Sequence, residues 1–383
     1  MKRLLVVSII LVFTVGAAFA GGQQEQEAET ESQAAQAEAT DMQIPGLIPA
    51  PEVITTYGPE GDPATWYDEL YLTAEEVQRV RDMELTAAYE MVTDIDWSRG
   101  NLRGFRDACE VLGIEVVATA SAELDPIRQK ANMENFMALQ PDIITCQPQD
   151  LDLAASTFDP LVEAGIHLVF LSNVPTGYKA GEDYVAGLTD SLVDMGHDAA
   201  DLMAEAIGGE GQIITVVVAG VNYVTNTRDQ AFVDRIESEY PNIEIVAEGG
   251  FQAMSEAGPQ ASGLLTRYPD AEGVYVSFSN PAIDVLEAVR TLGKEDVQIV
   301  TMDLDTVAAI DMVQDGNVYG IVSDSPYSMG YGRAMLGAYG ALGKDAPKYV
   351  TSPAFKVTKD NILEGWEWAF GVEPPRELLD AME

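Results

Sequence analysis

The chain has 383 residues, and its 63 aspartates and glutamates outnumber 21 lysines and arginines to give a formal charge of −42. A field of that sign repels phosphate backbones and anionic lipid headgroups, which excludes nucleic acid and membrane surfaces as partners. The length exceeds one ordinary core and suits two α/β lobes.

Lys2 and Arg3, an apolar run over residues 4–13 and the ending Ala17-Ala18-Phe19-Ala20 predict a secretory signal peptide over 1–20, cleaved after Ala20. The run is too short for a permanent anchor, and the first cysteine is Cys109, so no N-terminal lipid attachment is expected. A chain that works outside the cytoplasm lacks supplied ATP and NAD, which favours capture over catalysis. Residues 21–84 read as an acidic disordered tether and N-terminal extension. Gln, Glu and Ala dominate up to about 41, Pro and Gly punctuate up to 63, and the capping box Thr73-Ala-Glu-Glu76 opens a helix over 75–83.

From residue 85 the pattern alternates strand and helix. Strands are expected at 86–92, 114–119, 142–147, 167–171, 184–189, 212–218, 243–247, 273–278, 297–302 and 318–323. Helices are expected at 98–112, 124–140, 151–164, 192–207, 226–239, 255–267, 281–292, 305–315 and 327–342. Strands such as Ile213-Ile-Thr-Val-Val-Val218 are apolar on both faces, the mark of a parallel sheet covered by helices. The fold class is α/β, with two doubly wound parallel-sheet lobes. Cys109, on an apolar helix face, and Cys146, closing a strand, read as buried free thiols, with pairing left open. His167 and His197 have no metal-ligand spacing.

Ligands of open α/β sheets bind beyond the carboxyl ends of the strands. Those ends carry Asp94, Asp96 and Trp97; Gln147; Asn173; Asn222; Asn280; Asp303; and Asp324, with Arg228 in the helix after one of them. Carboxylates and amide oxygens accept from hydroxyls, arginine and amide nitrogens donate, and an aromatic face covers the C–H side of a ring. This is a palette for a polyhydroxylated ligand. No catalytic triad, nucleophile elbow, complete calcium loop or phosphate loop is visible, so catalytic residues, metals and cofactors are all expected to be none.

Over about 85–370 the order of elements and several local strings resemble the ribose-type periplasmic sugar-binding proteins of ABC transporters. The strings include Asp96-Trp97, Thr225-Asn-Thr-Arg228, Thr301-Met302-Asp303 and Ser325-Pro326-Tyr327-Ser-Met-Gly330. The resemblance implies the type I periplasmic binding protein fold, with a multi-crossing hinge whose crossings include Thr189-Asp190 and Asp324-Ser325. It divides the chain into one lobe of 85–189 with 326–352 and another of 190–325 with 353–383. It places Trp97 as a stacking aromatic, Gln147 as an amide before a proline, Arg228 as donor to ligand oxygens, Asp303 as carboxylate acceptor and Asp324 at the second crossing. Ser172-Asn173 replaces the family's Asp-Arg pair, Trp97-Ser98 its paired phenylalanines, and Gln252 an aromatic of the second lobe, which argues against ribose itself.

The expected function is a non-enzymatic periplasmic receptor, a monomer, that closes on a monosaccharide or polyol and delivers it to a membrane permease and its ATPase subunits. The alternatives are a ligand-sensing partner of a chemoreceptor or sensor kinase, and a secreted carbohydrate-active enzyme.

Overall fold

The computed structural model describes residues 38–383 except 60, 153 and 221. The expected signal peptide, and the tether up to residue 37, lie outside the described residues. Two sheets organise the rest. Strands β4 (Thr86–Met91), β5 (Glu115–Ser121), β6 (Ile143–Cys146), β7 (His167–Leu171) and β8 (Ala186–Asp190) stand in the order β5-β4-β6-β7-β8. Strands β9 (Gly211–Val218), β10 (Ile243–Phe251), β11 (Ala271–Val276), β12 (Gln298–Met302) and β13 (Val318–Asp324) stand in the order β10-β9-β11-β12-β13. Both sets are parallel and repeat one 2-1-3-4-5 winding, so equivalent strand tips face each other across the molecule.

The chain crosses between the lobes beside the fifth strand of each sheet. It leaves β8 for helix Leu192–Ala206 and leaves β13 for helix Pro326–Leu342. A third crossing runs from β14 (Tyr349–Ser352), parallel to β8, through Pro353 to β15 (Ala354–Thr358), antiparallel to β13. Thr189, Asp190, Ser323, Asp324, Ser325, Thr351 and Ser352 are each no more than 1 % exposed, so the crossings are buried polar backbone rather than surface linkers.

Residues 42–84 are packed on the first lobe. β1 (Met42–Gln43) pairs with β3 (Tyr71–Leu72), and β2 (Thr65–Trp66) extends the first sheet beside β14. Helix Ala74–Asp82 opens on the capping box at Thr73. Between these anchors the segment reaches the second lobe. Thr55 Oγ1 donates to Asp194 at 2.9 Å, and the Tyr223 hydroxyl donates to the Tyr57 carbonyl. Among the described residues no helix is long and apolar enough to cross a membrane.

The first lobe is held by a backbone-to-backbone helix contact. Helices Asp96–Leu112 and Pro326–Leu342 cross where Gly104 and Gly330 remove side chains: a Cβ at Gly104 would fall on the Tyr327 carbonyl oxygen, and one at Gly330 on that of Asn101. Arg333, one turn on and fully buried, donates to Thr145 Oγ1 at 2.9 Å and to the Tyr89 hydroxyl at 2.5 Å, tying the helix to the sheet. Cys109 and Cys146 are both buried and free.

Candidate functional site

The strand tips of the two lobes enclose a cavity of about 150 Å³. Its first-lobe wall is Val92, Thr93, Ile95 and Trp97 after β4, Leu124 after β5, Gln147 after β6 and Ser172 after β7. Its second-lobe wall includes Val218, Asn222, Phe251, Gln252, Phe278 and Asp303. Asp190 and Arg228 stand at the hinge end.

The charged centre is built around Arg228, which is 4 % exposed in helix Tyr223–Glu239. Its Nε and Nη2 meet Asp190 Oδ2 at 3.0 and 2.8 Å, and its Nη1 donates to the two Asp303 oxygens at 3.1 and 3.4 Å. Burial pushes the Asp303 carboxyl above its ordinary range; Asp190 adds to the rise, and Arg228 opposes it. Asp324 is fully buried, and its carboxyl is pushed well above the usual range by burial first and by Asp303 and Asp190 next. Its two oxygens accept from Trp97 Nε1, each at 2.9 Å, so a hinge carboxylate fixes the indole in the cavity wall. The two carboxylates that line the cavity, Asp190 and Asp303, share one guanidinium and so keep acceptor capacity in excess, the donor-hungry arrangement that hydroxyls satisfy.

Backbone strain marks the fourth strand tip in both lobes. Ser172 after β7 has φ +52° and Asp303 after β12 has φ +63°, equivalent positions in the left-handed region that non-glycine residues seldom occupy. The Thr189 hydroxyl donates to Ser172 Oγ at 2.9 Å, and Arg228 holds Asp303. Asp305, two residues on, caps its helix by accepting from Val307 and Ala308, which leaves Asp303 free of that job.

Of the residues expected from sequence, Trp97, Gln147, Asn222, Arg228, Gln252 and Asp303 line the cavity. Asn222 also caps helix Tyr223–Glu239, its Oδ1 accepting from Val224 and Thr225. Gln147 is set by a network behind it. Buried Glu90 accepts from Gln129 Nε2 at 2.5 Å and Asn132 Nδ2 at 2.8 Å, and Gln129 also donates to the Gln147 carbonyl at 2.8 Å. Burial pushes Glu90 up to about 7 against the pull of those two amides.

The remaining five do not line the cavity. Asp324 lies beneath Trp97. Asp94 is exposed and pairs with Arg99 at 2.9 Å. Asp96 also pairs with Arg99, and its Oδ2 accepts from Thr306 Oγ1 at 2.6 Å, a contact that joins the two lobes. Asn173 is buried with its Nδ2 donating to the Pro148 carbonyl at 3.0 Å, and Asn280 sits in the first turn of helix Ser279–Thr291. Asp190, which the sequence marks only as part of a crossing, is the main partner of Arg228. Its only sequence signal is an aspartate ending a strand that enters the hinge.

The sequence model of the family described as "Periplasmic binding protein domain" matches residues 91–345. The chain belongs to this family. Among curated periplasmic binding proteins, the ribose import binding protein of Escherichia coli is 23 % identical over 227 residues, 59 % of this chain and 74 % of that one. A putative rhizopine-binding protein of Rhizobium meliloti is 22 % identical over 267 residues, 68 % and 85 % of the two chains. Similar solved structures include an ABC transporter solute-binding protein of Agrobacterium vitis bound with α-D-tagatopyranose, with TM-score 0.67, 19 % identity and coverage of 76 % of this chain and 99 % of that one. Another, from Bacillus halodurans with bound myo-inositol, has TM-score 0.64 at 19 % identity and covers 74 % and 97 %. The two lobes and the hinge beside the fifth strands are therefore the family's fold, and the ribose-type resemblance of the sequence stands.

Proposed function

We propose that this periplasmic binding protein captures an uncharged monosaccharide or polyol between its lobes and hands it to the permease of an ABC importer, acting as a monomer without catalysis. The observation that carries the reading is the Asp190–Arg228–Asp303 cluster, set in a cavity to which both lobes contribute. Each lobe then supplies part of the ligand's hydrogen bonds, so the ligand binds the closed state better and draws the population toward it. The contact set is Trp97, Gln147, Asn222, Arg228, Gln252 and Asp303, joined by Asp190, with Asp324 acting through the Trp97 indole. The basic, apolar, small-residue start of the chain supports export as the route to that location.

The carboxylate excess separates this reading from capture of an anion. A phosphate would face Asp190 and Asp303 with one arginine already shared between them. A thermal-shift screen of neutral monosaccharides, polyols, sugar phosphates and amino acids should raise the melting temperature with at least one neutral polyhydroxylated compound and with no phosphate. Stabilisation by a sugar phosphate or an amino acid alone would sink the reading.

A further inference from the structure

The last residue but one of β4 is a buried carboxylate. Glu90 is 2 % exposed, and among the described residues its oxygens accept only from two side-chain amides, Gln129 Nε2 at 2.5 Å and Asn132 Nδ2 at 2.8 Å. A charge buried without a cation costs stability, and an apolar side chain at that place would not.

The bonds that the two amides have left go to the back of the cavity wall. Gln129 Nε2 also donates to the Gln147 carbonyl at 2.8 Å, and Gln129 Oε1 accepts from the Gln149 amide at 2.9 Å. Asn132 Nδ2 also donates to the Ser121 carbonyl at 3.1 Å, where β5 ends. An ionised carboxylate can only accept, so it fixes which way each amide turns. Gln129 presents its nitrogen to Glu90, which leaves its oxygen for Gln149. A protonated carboxyl, or a glutamine, carries a donor as well. Gln129 meets that donor by turning its oxygen, and the turn breaks both of its bonds to the 147–149 backbone.

Resting on the sugar-capture reading above, we propose that Glu90 is a positioning residue: its negative charge, acting through Gln129, holds the 147–149 turn in the geometry that presents the Gln147 side chain to the ligand. Burial pushes Glu90 up to about 7, so the charge that holds the turn is present above that pH and lost below it. From β6 it is faced by the Cys146 thiol, which burial pushes well above its ordinary range. Arg333 lies on the opposite face of the sheet, bonded to Thr145 and Tyr89. Arg128, Lys130 and Glu134, on the helix Pro126–Leu139 that carries Gln129, are exposed.

The test is calorimetry with D-ribose, D-arabinose, D-galactose and myo-inositol at pH 8 and pH 5.5, on the unmodified protein and on Glu90→Gln. For each compound that binds, the unmodified protein should be about ten-fold tighter at pH 8, the effect of one lost hydrogen bond. The two proteins should converge to within about two-fold at pH 5.5, and the titration of Asp303, common to both, cancels in the ratio. In a Gln147→Ala background the same change should alter affinity by less than about two-fold. Glu90→Gln should melt no lower than the unmodified protein at pH 8, since it lacks a charge whose burial is unfavourable there. A ratio near one at pH 8, a ratio independent of pH, or a full effect without the Gln147 side chain would each overturn the proposal and leave sugar capture standing. If Glu90→Gln does not fold, or none of the four compounds binds, the Gln149 amide resonance of the unmodified protein decides. It should shift with a midpoint near pH 7, and a flat titration overturns the proposal, while the wider screen decides separately whether any neutral sugar is captured.

Discussion

Replacing Arg228 by alanine should abolish ligand binding and destabilise the fold by about 3–5 kcal/mol at neutral pH, the usual effect of stripping one partner from a buried ion pair. The guanidinium touches both Asp190 and Asp303, and Asp324 lies within their field, so its removal leaves buried carboxylates with no cation among them. The pH dependence carries the sign of the mechanism. Uncompensated buried carboxylates have folded-state pKa values raised above the unfolded 3.8, so their full contribution to stability is present below that value and is lost as pH rises through the folded values. The variant's deficit should therefore be small near pH 4 and grow toward pH 8, as read by urea unfolding at several pH values. Arg228→Lys should fall between, since an ammonium keeps the charge but cannot bridge both carboxylates with the same fork. A deficit below about 1 kcal/mol, or one independent of pH, would mean that the cluster is not held by charge.

Gly330→Ala is expected to cost about 3 kcal/mol or more, large for a single methyl group. Overpacking is relieved when a flexible side chain can move away, and here the obstacle is the carbonyl of Asn101 and the amide of Phe105 on the facing helix. Adding the methyl forces the two helices apart, and with them the Arg333 contacts to Thr145 and Tyr89. The same change at Gly263, where a Cβ meets nothing within 4 Å, should leave stability nearly unchanged or raise it slightly through helix propensity. Chemical denaturation of both variants checks the contrast. Equal stabilities would show that the helix crossing tolerates separation.

The parallel strands of both lobes were legible because burial on two faces demands uninterrupted apolar runs, as in Ile213–Val218, and helices such as Asp96–Leu112 between them carry a clear apolar face. β14 and β15 were not legible. Four- and five-residue strands interrupted by Pro353 give no period to read, and β15 is partly exposed along most of its length. The charged half of the site was legible because Arg228 and Asp303 are chemically conspicuous at strand and helix starts. Asp94, Asn173 and Asn280 looked equally suitable, yet position alone does not say which way a side chain turns. Asp94 turns to Arg99 and Asn173 to the Pro148 carbonyl.

The central claim is capture by closure, and small-angle scattering with and without the stabilising sugar tests it most directly. The lobes are joined by three crossings and touch at Asp96 and Thr306, so closure about those crossings should lower the radius of gyration at saturation with ligand. The Arg228→Ala protein, unable to bind, should show no change in the same titration. Unchanged dimensions at saturation for the unmodified protein would contradict closure and point to a rigid or one-lobe site.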